Sequence, residues 1–312
     1  MKKVRKKKIS LAVDIGGLRI KTPVLAASGT FGYGEEYRDF MSFKHLGGII
    51  TKGISFKPQP GNPPPRLVET VCGMLNAIGL QNIGVKALVE EKIPPLKKRG
   101  IPIIVNIYGS TLKDYGEVAK HLDGVSGIAA LEVNISCPNI RKGGIAFGTD
   151  PREVFKVVSA VKKSSSLPIM VKLSPNVTDV TAIARSAEEA GADSLSLINT
   201  LIGMAVNIAT RTPLLGNITG GLSGPAIKPI ALRMVWEVCN TVNIPVVGIG
   251  GICTAEDALE FFIAGASAIQ IGTAQFVNPS VTSEVVSGLE KYLEDHSLSA
   301  ITEIVGTLEI PE

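Results

Sequence analysis

The chain has 312 residues, 45% of them apolar, enough for one large core of the size at which α/β barrels of about 250 residues form a single domain. Its formal charge is +4, but six basic residues stand in the opening "MKKVRKKK", and without them the charge falls to −2, so the body is near neutral and the basicity belongs to a tail that reads as a solvated arm, with binding to nucleic acid or membrane as the alternative. No uncharged apolar run reaches the roughly 18 residues of a membrane span, and Asp14 and Gly16–Gly17 interrupt the first apolar stretch before it reaches signal-peptide form.

Cys72, Cys137, Cys239 and Cys253 are scattered, with no C-x-x-C and no histidine-paired metal spacing. A reduced, cytoplasmic protein without a bound metal is expected, with residues 1–9 as a basic tail and 10–312 as one domain.

The elements follow in order. "LAVDIGGLRIK" reads as a hairpin turning at Gly16–Gly17 and closing the bottom of a barrel. Eight short apolar, β-branched runs then read as strands at 23–28, 47–52, 101–107, 130–136, 168–174, 194–200, 244–250 and 268–274. Amphipathic helical stretches separate them, among them 150–163 and 254–265. The second opens on Thr254 with Asp257 three residues on, a capping-box variant, and stops at Gly265. This alternation predicts a parallel (β/α)8 barrel rather than an open sheet. Two longer insertions follow strands two and six, at 53–82 and 201–224.

Active sites of such barrels sit at the carboxyl ends of the strands, and here those ends are polar. Ser28, Lys52, Asn106, Asn134 with Cys137, Lys172 and Asn199–Thr200 occupy strands one to six. Gly248, Gly250, Gly251 and Gly272 end strands seven and eight. So many polar groups would be costly to desolvate for packing alone, and a ligand that satisfies them is the better account. The runs "GIGGI" and "IGT" let backbone N–H groups approach a phosphate. Two strand-end lysines suit an electron-rich ring such as a reduced flavin. The amides of Asn76, Asn134, Asn139 and Asn199 suit a small ring with ureide edges, although a sugar would ask for similar groups. Cys137 could be a nucleophile, a structural thiol or a proton-transfer base. His45, His121 and His296 fall in helical or tail stretches, so Cys–His hydrolysis is not expected.

The stretches "VNISCPN" with Cys137, "TKGIS" with Lys52, "GMLNAIGLQN" at 73–82, "VKLSP" with Lys172, "INT" at 198–200 and "GIGGI" resemble the dihydroorotate dehydrogenase family in order, from about residue 10 to residue 295. "PGNPPPRLVET" resembles the catalytic subunit of its NAD-linked, two-subunit type. The basic tail departs from that pattern. The resemblance implies oxidation of (S)-dihydroorotate to orotate for pyrimidine synthesis, with Cys137 as base at ring carbon five and hydride passing from carbon six to flavin mononucleotide. It implies a substrate site of Lys52, Asn76, Ala77, Ile78, Gly79, Leu80, Asn134, Asn139, Asn199 and Thr200. It implies a cofactor site of Ser28, Lys52, Gly53, Asn106, Asn134, Lys172, Ile198, Gly224, Gly250, Gly251, Gly272 and Thr273. The loop from Pro138 to about Gly148 reads as a lid. Electrons would pass to NAD through a partner subunit carrying flavin adenine dinucleotide (FAD) and an iron–sulfur cluster, on a homodimer core of a heterotetramer. The alternatives are a flavin barrel acting on another pyrimidine, as in uracil-type reductases, a fumarate-linked single-chain enzyme, and a non-catalytic phosphate-binding barrel.

Overall fold

A computed structural model describes residues 9–136 and 147–311. Eight parallel strands close into a barrel in sequence order: Val24–Ala26, Gly48–Ile50, Ile103–Ile107, Ile128–Asn134, Ile169–Lys172, Ser194–Leu197, Val246–Ile249 and Ala268–Ile271. They are numbered one to eight below. Each lies within or overlaps one of the eight apolar runs read from the sequence. Every residue of Ile103–Ile107 is buried, as expected for strands covered on both faces.

Most strands are shorter than their apolar runs. The chain leaves the ladder after Ala26, Ile50, Leu197 and Ile271, and the residues beyond become the walls of the site.

The helices form where caps and apolar spacing agree. Pro151–Lys162 starts on Asp150, whose carboxylate accepts from Arg152 N–H at 2.9 Å, and it buries Val154, Val157, Val158 and Val161. Ala255–Ile263 opens with the reciprocal Thr254–Asp257 box. Asp257 also accepts from Lys228 Nζ at 2.7 Å, which ties this helix to Lys228–Cys239.

The opening hairpin pairs Val13–Asp14 with Arg19–Ile20. Its turn takes Gly16 and Gly17 to φ of 76° and 86°, and a Cβ on Gly16 would collide with the Asp193 carbonyl at the amino end of strand six. The hairpin therefore packs at the bottom of the barrel.

The two insertions, read separately in the sequence, meet in space. Leu201–Met204, Thr219–Ser223, Gly73–Asn76 and Leu67–Thr70 form one four-stranded antiparallel sheet with Gly221 opposite Asn76. No helix among the described residues is long and apolar enough to cross a membrane.

Candidate active site

The barrel's carboxyl face and this inserted sheet enclose a cavity of about 800 Å³. Its wall includes Ser28, Lys52, Gly53, Asn106, Asn134, Lys172, Ile198, Asn199 and Thr200 from the ends of strands one to six. Gly250, Gly251, Gly272 and Thr273 line it beyond strands seven and eight, and Asn76, Ala77, Ile78, Gly79, Leu80 and Gly224 line it from the insertions. Apart from Gly248, which stays inside strand seven against the Phe261 ring, every expected site residue that the structure describes thus faces one space. Cys137, Asn139 and nearly all of the expected lid lie outside the described residues.

Local structure explains these placements. The segment Ala77–Leu80 is strapped from both sides. Asn62 donates its amide to the Ala77 carbonyl at 3.1 Å and its N–H to Ile78 at 3.0 Å. Tyr108 Oη and Asn82 Nδ2 each donate to the Leu80 carbonyl at 2.9 Å. Lys52 is set by its N–H donating to the Gly32 carbonyl at 2.8 Å. Partial burial lowers its pKa, Glu36 opposes that shift, and Arg66 adds to it. Asn76 donates to the Gly221 carbonyl at 3.2 Å across the inserted sheet. Asn134 Oδ1 accepts from Ser136 N–H at 3.1 Å and from Asn199 Nδ2 at 3.4 Å.

Gly250 and Gly251 take φ of 138° and 71°, and a Cβ there would strike Ala231 and Lys228. Packing on helix Lys228–Cys239 requires these glycines whatever binds. The capacity to hold an anion rests instead on backbone donors: among the described residues, the N–H groups of Gly251, Gly272 and Thr273 have no protein acceptor.

The polar strand ends are satisfied by the protein more fully than the sequence suggests. Glu132, fully buried in strand four, accepts from Asn106 Nδ2 at 2.6 Å, Gln270 Nε2 at 2.7 Å and Ser196 Oγ at 2.9 Å. Lys172 Nζ stands 3.8 Å from the same carboxylate and donates to Ser28 Oγ at 3.3 Å. Two acceptors of residues in the cavity wall, Asn106 Oδ1 and Gln270 Oε1, have no donor among the described residues, but both atoms are buried away from the cavity, Asn106 Oδ1 against Gly53. The groups left for a ligand to satisfy are therefore the loop N–H groups and the incompletely paired lysines.

A protein-family model described as dihydroorotate dehydrogenase matches residues 10–293. The chain belongs to the dihydroorotate dehydrogenase family. A relative from Geobacter sp. (strain M21), named dihydroorotate dehydrogenase B (NAD(+)), catalytic subunit, is 55% identical over 300 residues, covering 96% of this chain and 98% of its own. Relatives of the same name from Geotalea uraniireducens and Pelobacter propionicus are also 55% identical, over 96% and 97% of this chain and 99% of their own.

Among the residues of this dehydrogenase-family cavity and its floor that sequence reading missed are Glu132, Gln270, Asn176 and Ser223. Glu132 and Gln270 sit inside apolar strands, where a polar residue two positions before an expected site residue shares its face: Glu132 with Asn134, and Gln270 with Gly272. That period-two signal was present. Asn176, which donates to the Thr200 carbonyl at 2.9 Å and accepts from Ile202 N–H at 3.0 Å, had no comparable signal. Ser223, which accepts from Thr273 Oγ1 at 2.8 Å, had none either, because only the inserted sheet brings it to the barrel.

Proposed function

We propose that this chain oxidises (S)-dihydroorotate to orotate in pyrimidine synthesis, as the catalytic subunit of an NAD-linked enzyme. The observation that carries this reading is one cavity that gathers the lysines, amides and glycine turns of a dehydrogenase of this family.

Flavin mononucleotide fits the residues present. Gly251, Gly272 and Thr273 offer unengaged N–H groups for its phosphate, while Asn106 stands in the cavity wall beside its ring. Ser28, Lys52, Gly53, Asn134, Lys172, Ile198, Gly224 and Gly250 would complete its site. When bound, the flavin supplies a two-electron acceptor for the hydride leaving substrate carbon six.

The chain's own groups do the rest. Lys52 and the amides of Asn76, Asn134, Asn139 and Asn199 hold the carboxylate and ring edges of the substrate. Thr200 and the strapped Ala77–Leu80 segment fix its pose. Cys137 Sγ takes the proton from carbon five. A free thiol ordinarily titrates at about 8.5, which suits a base working at mildly alkaline pH. The Pro138–Gly148 loop excludes water from the site. Residues 10–312 act as one domain in the cytoplasm, two copies forming the core of a heterotetramer. Electrons leave to a partner subunit with FAD and an iron–sulfur cluster.

The visible spectrum of the pure protein tests this reading. Flavin bands that bleach on anaerobic addition of dihydroorotate are expected, and heat should release the mononucleotide. A colourless, well-folded preparation refutes the cofactor, and a flavin that dihydroorotate leaves oxidised refutes the substrate.

A further inference from the structure

A carboxylate beneath the cavity floor has no part in the reaction as described. Glu132 is fully buried and does not reach the cavity wall, yet three of its partners, Asn106, Gln270 and Lys172, do. They come from strands three, eight and five, so one side chain couples three sectors of the barrel.

An ionised carboxylate only accepts hydrogen bonds. An amide beside it must therefore turn its NH2 group toward it, because a carbonyl oxygen there would repel. Asn106 and Gln270 both do so, at 2.6 and 2.7 Å. Their carbonyl oxygens are left buried without a donor among the described residues. Lys172 Nζ stands 3.8 Å from the carboxylate, whose charge offsets its own.

We propose that Glu132 is a positioning residue for the flavin: it fixes the Asn106 and Gln270 amides in the cavity wall and offsets the charge that Lys172 presents to the ring. The assignment rests on the flavin reading above and deepens it. An offset ammonium matches a neutral oxidised ring better than a bare one.

Glu132→Gln keeps the volume and removes the charge. Its own NH2 now faces donors, so the amides lose their common acceptor. The floor also becomes more positive, which favours the anionic reduced flavin over the neutral oxidised one.

The experiment is titration of wild-type and variant apoprotein with flavin mononucleotide, followed by redox titration of the reconstituted protein. The expected result is at least tenfold weaker binding by Glu132→Gln, with a midpoint potential more positive than wild type. In Glu132→Gln/Lys172→Met the two shifts should oppose each other, leaving a midpoint nearer to wild type than in either single variant, because the two charges that offset one another are removed together. Unchanged affinity and potential overturn the proposal. So does weaker binding at an unchanged potential, since a merely structural residue would give that result. Failure of the wild-type apoprotein to bind the flavin would instead sink the underlying cofactor reading.

Ser196→Ala covers the case in which Glu132→Gln does not fold. It removes one donor from the carboxylate without touching the cavity, leaves that charge less neutralised, and should move the potential in the opposite direction. An unchanged potential in Ser196→Ala also counts against the proposal.

Discussion

Lys52 illustrates how burial prepares a single residue for an anionic ligand. Its ammonium is partly desolvated, which lowers its pKa below the ordinary 10.5 despite Glu36. Such a group binds more protons in the unfolded chain, so its charged form costs stability below the lowered pKa, and that cost disappears as pH rises toward 10.5. Lys52→Met is therefore expected to raise the melting temperature of the unliganded protein at pH 7 more than at pH 10. Substrate binding runs the other way: affinity for dihydroorotate should fall as pH passes the lowered pKa, and Lys52→Met should abolish that limb of the kcat/KM profile. A pH-independent effect on both measures would remove the charge from the account. The thiol carries a separate expectation. Cys137→Ala should keep its flavin and lose about 100- to 10,000-fold in the single-turnover rate of flavin reduction. Cys137→Ser should also be slow, because a hydroxyl is a far weaker acid. A near-wild-type rate in the alanine variant would take Cys137 out of the mechanism.

Two elements support the site from opposite directions. The inserted sheet delivers Asn76 and packs on Thr200 only because its strands approach closely, and Gly221 sits where a Cβ would overlap the Thr200 side chain. Gly221→Ala should leave flavin content unchanged while raising KM for dihydroorotate on the order of tenfold to a hundredfold, the scale of a misplacement near 1 Å. An unchanged KM would mean that the sheet does not hold the substrate. The helix Ala255–Ile263 is anchored differently. Asp257 accepts from the N–H groups of Cys253 and Thr254 and from Lys228, joining the glycine turn after strand seven to two helices. Asp257→Ala should cost about 1–3 kcal/mol in urea denaturation, a lost cap together with a half-buried ion pair. Thr254→Ala should cost about 1 kcal/mol. Equal costs for the two would indicate that the Lys228 contact adds nothing.

At the scale of the molecule, electrons must leave a barrel that has no evident route of its own to NAD. No G-x-G-x-x-G follows any strand, and the cysteines lack the close pairs of an iron–sulfur site. Of the described cysteines, Cys72 is exposed and Cys253 half-buried, while burial pushes Cys239 up to about 12, which suits packing and not ligation. The isolated chain should therefore reduce NAD slowly with dihydroorotate, and a co-purified partner should restore the rate. Fast NAD reduction by the chain alone would refute the need for a partner. Fast turnover with fumarate would move it to the single-chain type.

The sequence by itself determined the barrel and much of the cavity wall. Strand and helix periodicity are local properties, and "GIGGI", "VKLSP" and "TKGIS" place functional residues at strand ends, where chain direction alone sends them to the carboxyl face. The cap at Thr254 was readable for the same reason, since its partners lie within one turn. Only tertiary structure decided that residues 53–82 and 201–224 make one sheet, because strand pairing across more than a hundred residues leaves no local trace. It also decided that Glu132 sits beneath the floor: alternation shows which face a strand residue takes, but not that Asn106, Ser196 and Gln270 from three other strands will converge on it.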